Sequence, residues 1–391
     1  MTSGGGIPIP WTRITCYANV CIDGPAALDC PVRTANLGLW EDYVRRLSML
    51  VLSLAIACLS GALAAKDAAG PAREVPARAI PVPQTVSPQM AKLIARQATL
   101  PVAPQSPQEW KAIVDAAAAQ DLARIGELKK QFAVTVEPIR LGGVPCFQVT
   151  PAQLPERNRH RVLLHLHGGA YVFAPGESGT LEAIVMAGFG HFRVISVDYR
   201  MPPDYPYPAA MDDAMAVWKE LAHREKPANL GVFGTSTGGG MTLALVQRIE
   251  EEKQPLPAAI APGTPWSDLT DTGDSYFTNA WVDNGLVAYD PLLSAAARLY
   301  AHGRDLKDPH LSPVYGDFHG FPPTILTTGT RDLFLSNTVR VHRKLREAGV
   351  EAALEVYEGQ SHAQYLADTT APESKEAFEE IASFFDRHLG R

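Results

Sequence analysis

The sequence is poor in cysteine beyond its first sixty residues, and it has no long run of like charge. Of its five cysteines, four lie at or before residue 58 and only Cys146 follows. One cysteine cannot form an internal disulfide or a cysteine metal cluster, so Cys146 is expected to be a buried strand thiol. The 35 basic and 42 acidic residues, with a pI near 5.9, show no basic stripe, which argues against a nucleic-acid-binding protein.

The segment 44–65 has the three parts of a secretory signal peptide. Arg45 and Arg46 form a basic region, Met49–Leu63 is an apolar stretch, and small residues around Leu63 form a cleavage site. The apolar stretch is short for a membrane span, so no stable span is predicted.

Export to the periplasm or beyond the cell is therefore expected. Because signal peptides begin at the initiator, residues 1–43 are expected to be a disordered or spurious leader. The alternative is a cytoplasmic protein with an apolar leader.

Residues 66–132 are predicted to form a linker and a helical cap. A Pro- and Ala-rich stretch leads to Ser106, which suits a helix N-cap, with Pro107 at the first helical position and Glu109 completing a capping box. Apolar residues then recur at helical spacing from Trp110 onward. This pattern predicts an amphipathic helix that packs against the rest of the protein.

Residues 133–391 read as one α/β domain. A hairpin is predicted around Gly142 and Gly143. Six apolar runs follow: RVLLHLH, FRVISVDY, NLGVFG, AAIAPGTP, PTILTTG and EAALEVYEG. The helical segments between and after them include Ala209–Glu225, Gly239–Glu252, Leu292–His302, Ser336–Ala348 and Ser374–His388. Strands alternating with helices predict right-handed crossovers and a mostly parallel sheet buried on both faces. Ligands bind such sheets at the carboxyl ends of the strands.

Ser236 lies between glycines, in GTSTG, where the NLGVFG strand turns into a helix. Such a tight turn forces its central residue into a strained conformation, and side chains at Gly234 and Gly238 would collide there. The serine hydroxyl then projects at the helix N-terminus, as in a nucleophile elbow. The alternative is a phosphate-binding glycine loop, but the lysine of a Walker motif is missing.

A serine nucleophile needs a base and a group that orients it. His362 lies in the loop after the last predicted strand, and Asp332 follows the strand before it. The order serine, aspartate, histidine is the one expected for this architecture. Asp268 is the rival acid, but it follows an earlier strand.

Three backbone N–H groups are candidates for an oxyanion hole. Gly168 and Gly169 directly follow a strand, and Thr237 follows the predicted nucleophile. Tyr171 and Phe173, just beyond the glycine pair, are predicted to line the mouth of a substrate pocket.

These motifs together resemble the hormone-sensitive-lipase-like branch of the α/β-hydrolases. The matching motifs, in chain order, are HGGAY, DYRMPPDYPYPAAMDD, GTSTGGG, PWSDLT, GTRD and EGQSHA. The resemblance implies an α/β-hydrolase fold with an eight-stranded sheet flanked by helices and an N-terminal helical cap. It also implies hydrolysis of small carboxylic esters, commonly with short acyl chains, without cofactor or metal.

The chain departs from that family at two positions and leaves three questions open. Thr237 stands where alanine is usual, and Ala170 stands where a third glycine is common.

Lactone, amide or carbamate hydrolysis would use the same triad, and a non-catalytic ligand-binding protein could share the fold. The oligomeric state also stays open, with a homodimer among the alternatives.

Overall fold

The structure is a computed structural model that describes residues 72–390. The chain divides into two units after Arg78, and the helices and strands below all belong to the second. The predicted leader, 1–43, and signal peptide, 44–65, lie outside the described residues and stay predictions. None of the helices between residues 72 and 390 combines the length and the hydropathy needed to cross a membrane.

One eight-stranded sheet organises the second unit, in the order β1-β2-β4-β3-β5-β6-β7-β8. The strands are β1 Val134–Leu141, β2 Val144–Pro151, β3 Val162–Leu166, β4 Arg193–Val197, β5 Leu230–Thr235, β6 Ala259–Gly263, β7 Thr324–Gly329 and β8 Ala352–Tyr357. β1 pairs antiparallel with β2, and β2 with β4, whereas β3 to β8 are all parallel. The predicted hairpin and mostly parallel sheet are confirmed.

Helices cover both faces of the sheet. They are α1 Pro88–Ile94, α2 Pro107–Gln131, α3 Leu181–Gly190, α4 Ala209–Arg224, α5 Thr237–Glu251, α6 Ser275–Thr278, α7 Leu292–Ala301, α8 Leu335–Glu347 and α9 Pro372–His388. Helices α3 and α9 bury a core around Ile184 and Phe378. Helices α4, α5, α7 and α8 contribute to a larger core that includes Trp218 and Trp266.

The N-cap predicted for α2 is present, whereas Glu109 accepts the N–H one residue before the N-cap rather than that of Ser106 itself. Ser106 Oγ accepts the N–H of Glu109 at 3.2 Å, and the Glu109 carboxylate accepts the N–H of Gln105 at 2.8 Å. The helix buries Ile125 and Leu128 in the core that α3 and α9 share, and it exposes its polar face. Capping and one apolar face therefore explain why this segment is helical and where it packs.

Residues 81–96 form an N-terminal arm that lies against the carboxyl edge of the sheet. The Arg331 guanidinium, in the loop after β7, donates to the carbonyl oxygen of Pro81 at 2.6 Å. Thr85 Oγ1 donates to the Glu358 carboxylate, in the loop after β8, at 2.6 Å. The arm thus contacts the two loops in which the sequence predicts the acid and the base.

Candidate active site

Ser236 lies at the junction of β5 and α5. Its backbone has φ +66° and ψ −123°, a combination that residues other than glycine rarely adopt. A Cβ at Gly234 or Gly238 would collide with the carbonyl oxygen of Leu166 on β3. The Ser236 N–H donates to the carbonyl oxygen of Gly263 at 2.9 Å, which fixes the turn against β6. The strand, the turn and the glycines match the geometry of a nucleophile elbow.

His362 and Asp332 meet at the carboxyl edge of the sheet. Nδ1 of His362 lies 3.0 Å from Oδ1 of Asp332. The same carboxylate accepts the hydroxyl of Thr328 at 2.8 Å, the hydroxyl of Thr264, and the N–H of Phe334 at 2.8 Å. In all of these contacts the carboxylate can act as the acceptor. It can therefore hold the imidazole through Nδ1 and leave Nε2 for another partner.

Asp332 is buried, yet its environment favours the ionised form. Burial by itself would raise the pKa of the carboxyl. The charge of His362 and the hydrogen bonds from His362, Thr264 and Phe334 outweigh burial and lower the pKa below its usual value. The carboxylate therefore stays negative beside the imidazole at neutral pH.

The rival acid Asp268 lies elsewhere. Its buried carboxylate accepts Arg340 Nη1 and the hydroxyl of Tyr315, at 2.6 and 2.8 Å, together with Thr270. His362 is not among the partners of Asp268 in the described part of the chain. The structure therefore brings Asp332, and not Asp268, to the imidazole.

Ser236 and His362 line one cavity of about 340 Å³. Gly168, Gly169 and Phe173 contribute to the same walls, which are mostly apolar. Within residues 72–390, neither Ser236 Oγ nor His362 Nε2 takes part in a hydrogen bond, so each is available to the other or to a ligand. The hydrogen bond between a catalytic hydroxyl and its base often forms or shortens only when substrate binds.

The backbone N–H groups of Gly168, Gly169 and Thr237 have no acceptor in the part of the chain that the structure describes. Gly168 lies directly beside the elbow, because a Cβ placed there would be 3.3 Å from the Cβ of Ser236. The N–H of Thr237 lies at the N-terminus of α5, where the helix dipole favours negative charge, and those of Gly168 and Gly169 belong to the loop that lines the same cavity.

The imidazole beside the glycine pair is neutral. Burial lowers the pKa of His167 to about 3. Its ring stacks on Tyr199 with centroids 4.0 Å apart, and the Tyr199 hydroxyl donates to the carbonyl oxygen of His167 at 2.7 Å. His167 therefore shapes the loop that carries Gly168 rather than adding charge to the site.

The two predicted pocket residues lie in different places. Phe173 lines the cavity, whereas Tyr171 is buried behind the loop and stacks on Tyr300 with ring centroids 3.6 Å apart. Ala170 and Tyr171 both have positive φ, of 53° and 64°, so the loop turns back on itself after the glycine pair. That reversal directs Tyr171 into the core.

Sequence reasoning missed a buried acid beside the elbow. Glu182 on α3 accepts the N–H and the hydroxyl of Thr235, at 3.0 and 2.6 Å, and contacts His165 Nε2 at 3.1 Å. Thr235 immediately precedes Ser236, so Glu182 holds the end of the strand that delivers the serine. The available signal was one acidic residue in the otherwise apolar segment LEAIVMAGFG.

Thr264 was missed as well. It follows β6 and contacts both Asp332 and Nδ1 of His362, the latter at 3.1 Å. Its position at the carboxyl end of a strand next to β7 was the signal for it. Among residues 72–390, no group of three or more histidine, cysteine and acidic side chains is arranged to hold a metal ion.

Comparison with known proteins agrees with this geometry. The family model described as the alpha/beta hydrolase fold matches residues 163–366. An esterase crystal structure is 43% identical, with a TM-score of 0.79, over 82% of this chain and 99% of that one. A second crystal structure, of an esterase from the bacterial hormone-sensitive lipase family, is 26% identical with a TM-score of 0.62, over 73% of this chain and all of that one. An esterase of Acinetobacter venetianus is 29% identical over 64% of this chain and 82% of its own length.

The family model spans more than half of the chain, and the region that it matches contains the six parallel strands β3 to β8. The chain belongs to the α/β-hydrolase family, in its hormone-sensitive-lipase-like branch of carboxylic ester hydrolases.

Proposed function

We propose that this chain is a serine carboxylesterase that hydrolyses short-to-medium acyl esters through a Ser236–His362–Asp332 triad. The observation that carries the proposal is the convergence at one cavity. Ser236 and His362 both line it, and Asp332 holds the ring from behind through Nδ1. A serine hydroxyl is barely nucleophilic without such a base, so this arrangement supplies what the chemistry needs.

The reaction proceeds in two steps, acylation of Ser236 and hydrolysis of the acyl-enzyme. His362 Nε2 takes the proton of Ser236 as Oγ attacks the ester carbonyl, and the resulting oxyanion accepts hydrogen bonds from the N–H groups of Gly168, Gly169 and Thr237. The imidazolium then protonates the leaving alcohol as the carbon–oxygen bond breaks, which gives an acyl-enzyme. Water, deprotonated by His362, attacks the acyl carbon and releases the carboxylic acid and Ser236.

The size and lining of the cavity support the acyl range. A volume of about 340 Å³ with mostly apolar walls accepts a small hydrocarbon chain near Ser236. The apolar contacts come from Phe173, Leu286, Leu292 and Leu293, among other residues of the lining. Lactone, amide and carbamate hydrolysis remain alternatives, because they use the same triad on differently shaped substrates.

The decisive experiment compares wild type with Ser236→Ala on p-nitrophenyl esters of increasing chain length, with a lactone, an amide and a carbamate alongside. We expect Ser236→Ala to lose on the order of 10⁴-fold or more in kcat on esters. Ser178→Ala is the matched control, since Ser178 lines the same cavity but its hydroxyl donates to the carbonyl oxygen of Pro175. Undiminished ester hydrolysis by Ser236→Ala would refute the proposed nucleophile.

The same panel separates the rival classes. Preference for the lactone, amide or carbamate over every ester would move the assignment to that reaction class. No turnover by wild type on any substrate, together with saturable ligand binding, would instead favour a non-catalytic ligand-binding protein.

A further inference from the structure

A buried carboxylate outside every motif named above lies in the segment between α6 and α7. Asp283 has no solvent exposure. Its Oδ1 accepts the N–H groups of Gly285 and Leu286, at 2.7 and 3.0 Å, and so folds its own loop into a tight turn. Leu286 lines the cavity of Ser236, so this turn also places part of the cavity wall.

The second oxygen of the same carboxylate reaches across to both loops of the proposed triad. Oδ2 of Asp283 accepts the N–H of Leu333 at 2.8 Å and the N–H of His362 at 3.1 Å. Leu333 directly follows Asp332 in the chain. One oxygen atom is therefore bound to the backbone beside the proposed acid and to the backbone of the proposed base.

We propose that Asp283 is a positioning residue for ester hydrolysis, which clamps the loops of Asp332 and His362 at the separation that their hydrogen bond requires. This inference rests on the proposed function. The 3.0 Å contact between the carboxylate and the imidazole joins two loops that follow different strands, β7 and β8. Catalytic groups must stay aligned, and a small displacement of their loops lowers activity strongly. Because Asp283 is bonded to both loops, its loss should therefore lower the rate of hydrolysis.

Only an ionised carboxylate satisfies this site. Four N–H groups point at Asp283, and an ionised carboxylate is a pure acceptor with two oxygens that can take them all. An asparagine would direct its NH₂ group at two N–H donors, either in its own loop or in the clamp. Leaving buried donors without acceptors is costly, so the isosteric amide breaks the arrangement while preserving its shape.

The loop that carries Asp283 is itself fixed to the rest of the molecule. The neighbouring Asn284 donates its side-chain amide to the carbonyl oxygens of Leu93 and Arg96, at 3.0 and 2.9 Å, at the end of α1. The Asn284 N–H donates to Ser361 Oγ at 3.1 Å, one residue before His362. Asp283 therefore clamps the catalytic loops to an anchored part of the fold.

The negative charge of Asp283 should also affect the pH dependence of activity. Burial, and next the charge of Asp332, raise the pKa of Asp283, whereas the charge of His362 lowers it. An asparagine at this position would remove one negative charge from the surroundings of the imidazole. Removing this charge should shift the acid limb of the activity profile to lower pH.

The test measures kcat, KM and the pH dependence of kcat/KM with p-nitrophenyl butyrate, and thermal unfolding, for Asp283→Asn, Asp283→Glu and Asp268→Asn. We expect Asp283→Asn to lose on the order of 10²-fold in kcat, with a smaller change in KM because the same turn places Leu286 in the cavity wall, and its acid limb to move to lower pH. Asp283→Glu keeps the charge but displaces both oxygens, so it should lose kcat without moving the limb. It also serves as the readout if the asparagine variant does not fold.

Asp268→Asn is the control, because Asp268 is equally buried and well bonded but has no contact with His362 among the described residues. It should lower the melting temperature and leave the acid limb in place. The positioning role would be overturned by a folded Asp283 variant with wild-type kcat. It would also be overturned if Asp268→Asn showed the same loss of kcat and the same change in the pH profile of kcat/KM. Ser236→Ala in the same assay distinguishes failure of the positioning role from failure of the proposed function. Full activity of that variant would refute the proposed function itself.

Discussion

Nδ1 of His362 lies 3.0 Å from the carboxylate of Asp332, and the two residues reach each other from loops that follow different strands. In a hydrolase triad, this contact selects the tautomer that leaves Nε2 able to accept a proton. The contact is therefore the most direct target for mutagenesis after the serine.

Asp332→Asn should lower kcat by about 10⁴-fold, because an amide in this position favours the wrong imidazole tautomer without changing the shape of the site. Steady-state kinetics with p-nitrophenyl butyrate measures the loss. Wild-type activity in Asp332→Asn, combined with inactivity of Asp268→Asn, would reassign the acid to the rival residue.

The acid stability of the fold should depend on Asp332. Its pKa is lower in the folded state than the usual 3.8, so its ionised form stabilises the folded state above that value, and the contribution is lost as the pH falls through the folded pKa. We expect the free energy of unfolding to fall more steeply in wild type than in Asp332→Asn between roughly pH 5 and pH 2. Urea unfolding at several pH values measures both slopes, and parallel slopes would contradict the expectation.

Gly168→Ala should damage the site by steric contact alone. A Cβ at this position would lie 2.8 Å from the carbonyl oxygen of Thr235 and 3.3 Å from the Cβ of Ser236. The loop must move away from the elbow, and a misplaced oxyanion donor typically costs on the order of 10²-fold in kcat. Kinetics with a short-chain ester measures this loss.

Gly126→Ala, in the interior of α2, is the matched control for that substitution. Its Cβ would meet nothing within 4 Å, so it should leave kcat unchanged and raise the free energy of unfolding by about 0.5–1 kcal/mol through helix propensity. Equal kinetic behaviour of the two alanine variants would show that the close approach of Gly168 has no catalytic importance.

Phe173→Ala should widen the acyl range. Phe173 lines the cavity and lies next to Trp110, with ring centroids 6.4 Å apart, so its removal opens space towards α2. The ratio of kcat/KM for octanoyl over butyryl p-nitrophenyl esters should rise. Tyr171→Phe should leave that ratio unchanged, because Tyr171 packs on Tyr300 behind the loop. A shift in the tyrosine variant and none in Phe173→Ala would reverse these assignments.

Periodicity predicted most of the fold and failed where a helix is buried all round. All six apolar runs after the hairpin became the parallel strands β3 to β8. Helix α3 was not predicted, because Leu181–Gly190 is apolar almost throughout and therefore shows no polar face.

Within the site, local motifs predicted positions along the chain but could not predict loop dihedrals or partners across the sheet. The elbow geometry of Ser236 and the contact between His362 and Asp332 follow from strand order, which the pattern supplied. The inward turn of Tyr171 depends on two positive φ values that no spacing rule predicts. Glu182 and Asp283 were missed because their partners are backbone groups distant in sequence, such as the N–H of Thr235 and that of His362.

The N-terminal arm has a consequence for the order in which the molecule matures. Its contacts join residues 250 and 273 positions apart, between Pro81 and Arg331 and between Thr85 and Glu358. Closing segments so distant is entropically demanding, and these contacts cannot form before residues 331 and 358 have been synthesised. A nascent chain would carry its serine elbow well before it could assemble a working catalytic edge, so activity arrives as one of the final events of folding.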